Sequence, residues 1–308
     1  MRAIRITGYG GNEVISLDEV PLPAIQDHQL LVRVHASSVN PIDWKVREGY
    51  LRAMLDPPLP AQILGGDFSG VVEQVGTAVT GFKAGDEVYG AAGRGLWADY
   101  VAVDAAVAAH KPKSLDHVHA AAVPIVALTS WQSLFEGGGL KAGQTVLIHA
   151  AAGGVGGFGV QFAHQAGARV VGTASAANAD YVRGLGADEV IDYRTVDFST
   201  VLHDLDLVAD YAGGVSLDRS YSVLKPGGTL ISIVAEPDKE QAEKAHISAK
   251  RFRMHPDPAR LEEFGALFDA GKLKLEIAAT FSLNEVAEAL DRSKAAHTRG
   301  KLVIRLVE

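Results

Sequence analysis

The sequence predicts a two-domain α/β protein, an antiparallel β-barrel joined to a doubly wound parallel sheet. Three observations carry that prediction. Up to about residue 113 the chain breaks into short β-type runs divided by glycine, proline and asparagine. From about residue 120, helical patterns alternate with buried apolar strands, the rhythm of a parallel sheet with helices on both faces. Within that second region, residues 145–166 read TVLIHAAAGGVGGFGVQFAHQA, which is strand, glycine turn and helix in sequence.

Taken in order, the opening MRAIRITGYGG alternates like an edge strand, and β-type runs follow at 13–20, 30–39, 70–75, 87–89 and 100–103. The second set of strands falls at 145–150, 169–173, 189–192, 207–210 and 229–234. The tail adds helices at 259–270 and 283–293 and a strand at 302–306. There is no internal repeat and no low-complexity linker.

Composition narrows the function. A chain of 308 residues, 47% hydrophobic and 21% charged, has material for the cores of two globular domains. A net charge of -8 without any lysine or arginine cluster argues against nucleic acid as a partner. With no cysteine, disulfides, thiol nucleophiles and cysteine-containing zinc sites are excluded. The N-terminus lacks a signal-peptide apolar core, and the longest apolar run, 120–128, is short and contains Pro124, so no membrane span and a cytoplasmic location are expected.

The glycine turn carries the chemistry. A pyrophosphate approaches backbone N–H groups at a helix N-terminus only where no Cβ intervenes, and the helix dipole favours the anion. Gly154, Gly156 and Gly159 satisfy G-x-G-x-x-G literally, while Ala151, Gly153 and Gly156 give the same spacing with alanine first. The second register starts directly after the strand, as the turn requires. It assigns Ala152, Gly153, Gly154, Val155 and Gly156 to the phosphates and leaves Gly157 and Gly159 to pack the helix. An acidic residue at the end of the next strand would bind the ribose 2′-hydroxyl of NAD and repel a 2′-phosphate. Here that strand runs through Thr173 into Ser175 and Asn178, and the first carboxylate is Asp180 in the following helix. The expected cofactor is therefore NADPH, with Thr173, Ser175 and Asn178 on one side and Tyr193 and Arg194 on the phosphate side. Ser175 and Asn178 also suit the start of the helix that follows. Gly213 and Val234 follow two further strands and belong at the carboxyl ends, where such sheets bind ligands.

Several phrases together resemble the zinc-independent quinone oxidoreductase branch, with its enone reductases, of the medium-chain dehydrogenase/reductase superfamily. They are Ser38-Val39-Asn40-Pro41-Ile42-Asp43-Trp44-Lys45, Gly65-Gly66-Asp67-Phe68-Ser69-Gly70-Val71-Val72, Gly81-Phe82-Lys83-Ala84-Gly85-Asp86-Glu87-Val88, Ala151 to Gly156, and Arg299-Gly300-Lys301-Leu302-Val303, in family order along nearly the whole chain. The resemblance implies a GroES-like catalytic domain, residues 1–118 and 272–308, around a Rossmann domain, residues 119–271. It also implies reduction of a small quinone or α,β-unsaturated carbonyl in the cleft between them, in a homodimer. Zinc-dependent relatives place cysteine at Asn40 and a His-Glu pair at Gly66 and Asp67, so no metal is expected. His117 and His119 instead suit a helix start after Asp116.

Without zinc, negative charge growing on the substrate oxygen needs a positioned donor. Lys45, Asn40 and Asp43 are the candidates: Lys45 to stabilise charge or deliver a proton, Asn40 to donate an amide N–H, Asp43 to orient them. Asn40, Pro41 and Asp43 also spell an N-cap, first and third helical residues. The resemblance adds cofactor contacts at Lys45, Thr129, Gly300 and Lys301; Thr129 equally suits a helix threonine bonded to its own backbone. Trp44, Tyr50, Trp97 and Phe252 suit either a pocket wall or the core. Tyr221 and Lys225 have Y-x-x-x-K spacing, but Pro226-Gly227-Gly228 ends any helix there. A cofactor-binding protein without turnover is the competing class, separated by an NADPH oxidation assay.

Overall fold

The computed structural model describes residues 1–53 and 62–307. The chain divides into two compact units, Met1–Ile125 with Pro256–Glu308, and Val126–His255. The expected boundaries at 118/119 and 271/272 therefore shift, and 119–125 and 256–271 join the first unit. Polar anchors explain the shift. The Ile125 N–H donates to the Asp67 carboxylate at 2.7 Å, and the later helix at Pro258–Asp269 takes Tyr89 Oη on the Leu261 carbonyl at 2.5 Å and the His110 N–H on Glu262 at 2.8 Å.

The first unit opens with β1 (Arg2–Ile6), β2 (Ile15–Glu19), β3 (Gln29–Val39), α1 (Pro41–Arg47), β4 (Gln62–Ile63), β5 (Asp67–Val75), β6 (Glu87–Ala91), β7 (Tyr100–Asp104), β8 (Ala108–His110) and α2 (His117–Ala121). β1 is not an edge strand: it lies between β2 and β4 in a three-stranded sheet, and Ala3, Ile4 and Ile6 are buried. The long β3 organises the larger sheet, pairing with β5 along one edge and with β7 along the first half of the other. Register shifts between Leu31 and Val32 and between Val34 and Ala36 bend it, as bulges do.

The second unit begins within α3 (Pro124–Gln132) and continues through β9 (Thr145–Ile148), α4 (Gly154–Gln165), β10 (Arg169–Ala174), α5 (Ala179–Gly184), β11 (Glu189–Asp192), β12 (Leu205–Asp210), α6 (Val215–Ser220), β13 (Leu224–Ser232), α7 (Lys239–Lys244) and β14 (Ser248–Arg251). The strands form one parallel sheet in the order β11-β10-β9-β12-β13-β14. Strand order reverses between β9 and β12, which opens a ligand crevice at their carboxyl ends. Val146, Leu147 and Ile148 of β9 are fully buried, as a central parallel strand demands. β14 carries no apolar run, Ser-Ala-Lys-Arg, because it is the edge of that sheet.

The chain then returns to the first unit as α8 (Pro258–Asp269), β15 (Ile277–Ser282), α9 (Val286–Lys294) and β16 (Lys301–Arg305). β15 and β16 run parallel, and β16 pairs antiparallel with Ala36–Val39 of β3. The ladder runs β15-β16-β3-β5-β6-β8 with β7 on β3, so the barrel expected from the sequence is an open path of pairings in the described residues. Trp97, Phe68, Ile4, Leu30 and Ile304 fill its core.

Candidate functional site

In the second unit, α4 starts at Gly154 with Gly153 as its N-cap, which matches the register beginning at Ala151. The first intrahelical bond is Gly157 N–H to Gly153 O at 2.8 Å, so the N–H groups of Gly154, Val155 and Gly156 are not used by the helix. A Cβ on Gly156 would lie 2.2 Å from the Ala150 carbonyl oxygen and 2.7 Å from Ala151 Cα, so the strand and helix meet here through backbone alone. Gly157 and Gly159 face Leu185 and Ser130 respectively, as packing residues. Ala150, between β9 and the loop, has φ 52, a strained value for alanine that the turn imposes.

Around this loop the carboxyl ends of four strands each present one buried polar residue: His149 after β9, Thr173 in β10, Asp210 in β12 and Ser232 in β13. Asp210 accepts the N–H groups of Ala212 and Gly213 at 3.2 and 2.8 Å, and Ser232 Oγ donates to its other oxygen at 2.8 Å. The Val234 N–H donates to Ser232 Oγ at 3.2 Å. Gly213 has φ +75, and a Cβ there would press Val234 Cγ1 at 2.9 Å, so the two predicted cofactor residues touch. Thr173 turns its hydroxyl inward to His149 Nδ1 at 3.1 Å and gives its carbonyl to the Ala151 N–H at 3.0 Å. Burial pushes the His149 imidazole down to about 4, so the ring is neutral. Sequence reasoning does not single out His149, Asp210 or Ser232; the available signal is a polar residue closing each apolar strand.

At the β10 end Ser175 is nearly buried, and Asn178 donates its N–H to the Ser175 carbonyl at 2.9 Å. Tyr193 and Arg194 follow β11 on the exposed side, with the guanidinium 5.8 Å from the Tyr193 ring centre. The Tyr193 N–H reaches the Ala174 carbonyl at 3.3 Å, which brings this pair beside Ser175. Asp180 sits in the first turn of α5, where the helix dipole favours it. Thr129 lies on α3 and is buried. Phe252 packs toward Gly137 in this unit.

In the first unit, Asn40, Asp43 and Lys301 come together in a sealed polar cluster. Lys301 Nζ donates to Asn40 Oδ1 at 2.7 Å and to the Val39 carbonyl at 2.9 Å. Asn40 Nδ2 donates to Asp67 Oδ2 at 2.8 Å and to Ser38 Oγ at 3.3 Å. Ser38 Oγ and the Ile125 N–H also donate to Asp67. The Asp43 carboxylate accepts the Asn40 N–H at 2.7 Å, as the third residue of a helix does. Burial raises Asp43 to about 7 and also raises Asp67, while it lowers the Lys301 ammonium against the pull of both carboxylates. The Asn40 oxygen and one of its amide hydrogens are thus engaged inside the protein, and Asp43 holds the start of α1. The Lys301 ammonium points into this cluster. Gly300 serves close strand contact: φ is +76 and a Cβ would lie 2.1 Å from the Glu276 carbonyl oxygen.

Lys45 also lies on α1. Its ammonium lies 5.5 Å from the Trp44 ring centre, Lys294 lies 5.7 Å from the same ring, and Tyr50 meets Trp44 edge-on at 5.8 Å. Tyr50 is exposed, whereas Trp97 is wholly in the core. α2 begins at His117 with Asp116 accepting the His119 N–H, so the two histidines occupy a helix start; His117 bonds Ser69 through Nδ1 at 2.8 Å. Tyr221 lies in a short 3-10 helix and Lys225 in β13, so no helix carries both.

Residues 26–113 match the alcohol dehydrogenase GroES-like domain family, and residues 185–304 match the zinc-binding dehydrogenase family. The human protein named NAD(P)H oxidoreductase RTN4IP1, mitochondrial, is 35% identical over all of this chain and 89% of its own length. NADPH-dependent alkenal/one oxidoreductase, chloroplastic, from Arabidopsis thaliana is 33% identical over 99% of this chain and 79% of its own. The solved quinone oxidoreductase from Coxiella burnetii superposes with a TM-score of 0.93 at 34% identity, covering 100% of this chain and 99% of that one.

The second family's description raises zinc, and the residues do not fit it. Asn40 and Asp67 do converge, but they offer one amide and one carboxylate, and the Lys301 ammonium already supplies the positive charge there. Among the described residues no group of three or more histidine, cysteine, aspartate or glutamate side chains could hold a metal ion. The match in sequence along the full length, the paired sheets and the glycine loop agree, and the chain belongs to the medium-chain dehydrogenase/reductase superfamily, in the branch of the quinone oxidoreductases and enone reductases.

Proposed function

We propose that this protein is an NADPH-dependent reductase of quinones or α,β-unsaturated carbonyls that works without zinc. The observation that carries the proposal is the junction of β9 and α4: three N–H groups not used by the helix, beside a β10 end with no carboxylate. The N–H groups of Gly154, Val155 and Gly156 suit a pyrophosphate, and Ser175 with Arg194 and Tyr193 suit a 2′-phosphate. The bound nicotinamide supplies a hydride; the protein's part is to bind, orient and stabilise charge.

For that last task the proposal rests on Lys45. The residue is half-buried, and its ammonium lies 5.5 Å from the Trp44 ring centre. Asn40, Asp43 and Lys301 fix the helix that carries it. Thr129, buried on α3, is the corresponding candidate on the second unit. Relatives named for quinone, NAD(P)H and alkenal chemistry support the substrate class. The cytoplasm and a homodimer complete the proposal, although two relatives carry mitochondrial and chloroplastic names. Among the described residues no helix is long and apolar enough to cross a membrane.

The test is NADPH oxidation at 340 nm against a panel of simple quinones and a panel of enones. Turnover with either panel supports the reading and names the class. Tight NADPH binding with turnover on neither favours a binding protein of the same fold. Sedimentation at micromolar concentration reads the dimer.

A further inference from the structure

We infer that His149 is a positioning residue for the dinucleotide site, acting through a hydrogen-bond chain that holds the glycine loop from beneath. The inference rests on the dinucleotide reading above. The chain can be followed atom by atom. Ser220 Oγ lies 2.6 Å from the Ser216 carbonyl, and a serine hydroxyl has one hydrogen, which goes there. Ser220 Oγ therefore accepts from His149 Nε2, 3.1 Å away, and the imidazole carries its proton on Nε2. Nδ1 is then an acceptor, and the Thr173 hydroxyl at 3.1 Å donates to it. Thr173 in turn gives its carbonyl to the N–H of Ala151, the first residue of the loop.

Each link sits where slack would reach a phosphate contact. His149 is followed directly by Ala150, whose φ of 52 must be held by its surroundings. The Gly153 N–H bonds the Ala150 carbonyl at 2.9 Å, so a shift of Ala150 shifts the helix N-cap. At the other end, Ser216 and Ser220 lie on α6, which starts immediately after Gly213 and Gly214. One imidazole thus ties the turn after β12 to the turn after β9. The ring is itself fixed, edge-on to Phe198 with centres 4.7 Å apart and only 1% exposed. Thr173 consequently spends its only hydroxyl hydrogen inside the protein and has none to give to a ribose or phosphate oxygen.

The test is direct binding of NADPH, followed by its fluorescence, to wild type, His149→Phe, Thr173→Val and the double variant. Phenylalanine keeps the ring against Phe198 and removes both nitrogens; valine keeps the shape of threonine without its hydroxyl. Each single variant should raise the NADPH Kd about tenfold, the loss of roughly one hydrogen bond's worth of ordering. The double variant should lose no more than either, because both break one chain. His149→Asn, whose amide oxygen stands near the Nδ1 position, should recover part of the loss. In turnover, KM for NADPH should rise while kcat at saturating NADPH and KM for the acceptor stay put. A folded His149→Phe, or Thr173→Val should the former fail to fold, that binds NADPH as wild type does would overturn the role of His149. So would two losses that simply add. Wild type that fails to bind NADPH overturns the dinucleotide reading itself, which keeps the two failures distinct.

Discussion

Replacing Lys301 with methionine removes a buried cation from a cluster that buries two carboxylates. The side chain is 4% exposed, and Asp43 and Asp67 are equally inaccessible. The ammonium satisfies Val39 O and Asn40 Oδ1, so the variant strands two buried acceptors and leaves both carboxylates uncompensated. Breaking a buried pair in this way costs about 3–5 kcal/mol. For a domain of this size that is a fall in Tm of roughly 6–20 °C. The cost depends on pH, and its sign follows from Asp43, which burial raises to about 7. A carboxyl raised on folding contributes stability that is complete below its unfolded pKa, near 4, and is lost as pH rises through about 7. Removing the ammonium raises the carboxyls further, so the gap between wild type and Lys301→Met should widen from pH 5 to pH 8. Urea unfolding followed by tryptophan fluorescence at both pH values measures it. A variant as stable as wild type at pH 8, or a gap that narrows with rising pH, would refute the account of the cluster.

Gly156→Ala should lower NADPH affinity at least tenfold, because the new Cβ meets backbone atoms of Ala150 and Ala151 at 2.2 and 2.7 Å and only a displaced loop relieves it; titration by fluorescence reads the change. Ser175→Asp restores an acid at the end of β10 and should move preference from NADPH toward NADH by about an order of magnitude, seen in the ratio of the two Kd values. Lys45→Ala should cut kcat/KM for the best acceptor by about 10²-fold while moving Tm by no more than about 2 °C, since the side chain is only half-buried; unchanged turnover would remove Lys45 from the chemistry.

The parallel sheet was legible because its central strands are apolar runs, with helical patterns between them. β11 coincides with the reading from sequence, and β9 and β10 begin where expected. β14 and β15 escaped for a physical reason: an edge strand, Ser-Ala-Lys-Arg, has no buried face, and Ile-Ala-Ala-Thr-Phe-Ser is held by β16 more than by its own apolar content. α8 was located well in sequence but placed on the wrong side of the domain boundary, because its side is decided by hydrogen bonds to Tyr89 and His110, more than a hundred residues away. The candidate site divides in the same way. The glycine loop is local chemistry, and α4 starts after Gly153, where the register beginning at Ala151 puts the helix. Asn40, Asp43 and Lys301 were named individually, yet their joint role depends on a lysine 261 positions from its asparagine, which no window of sequence brings together.

That long-range pairing bears on how the protein is made. The second unit is one uninterrupted stretch, Val126–His255, and its sheet is complete once β14 has been synthesised. The first unit is split around it: β3 waits for β16, and the Asn40 amide waits for the ammonium of Lys301. A chain emerging from the ribosome N-terminus first can finish its nucleotide-binding half while the other half still exposes the unpaired edge of β3. Contacts spanning some 260 residues must be closed after the local ones, so docking of the tail is expected to be the slower step and the interval in which aggregation competes. Refolding should accordingly show two phases, with the signal of the parallel sheet regained ahead of that from Trp97.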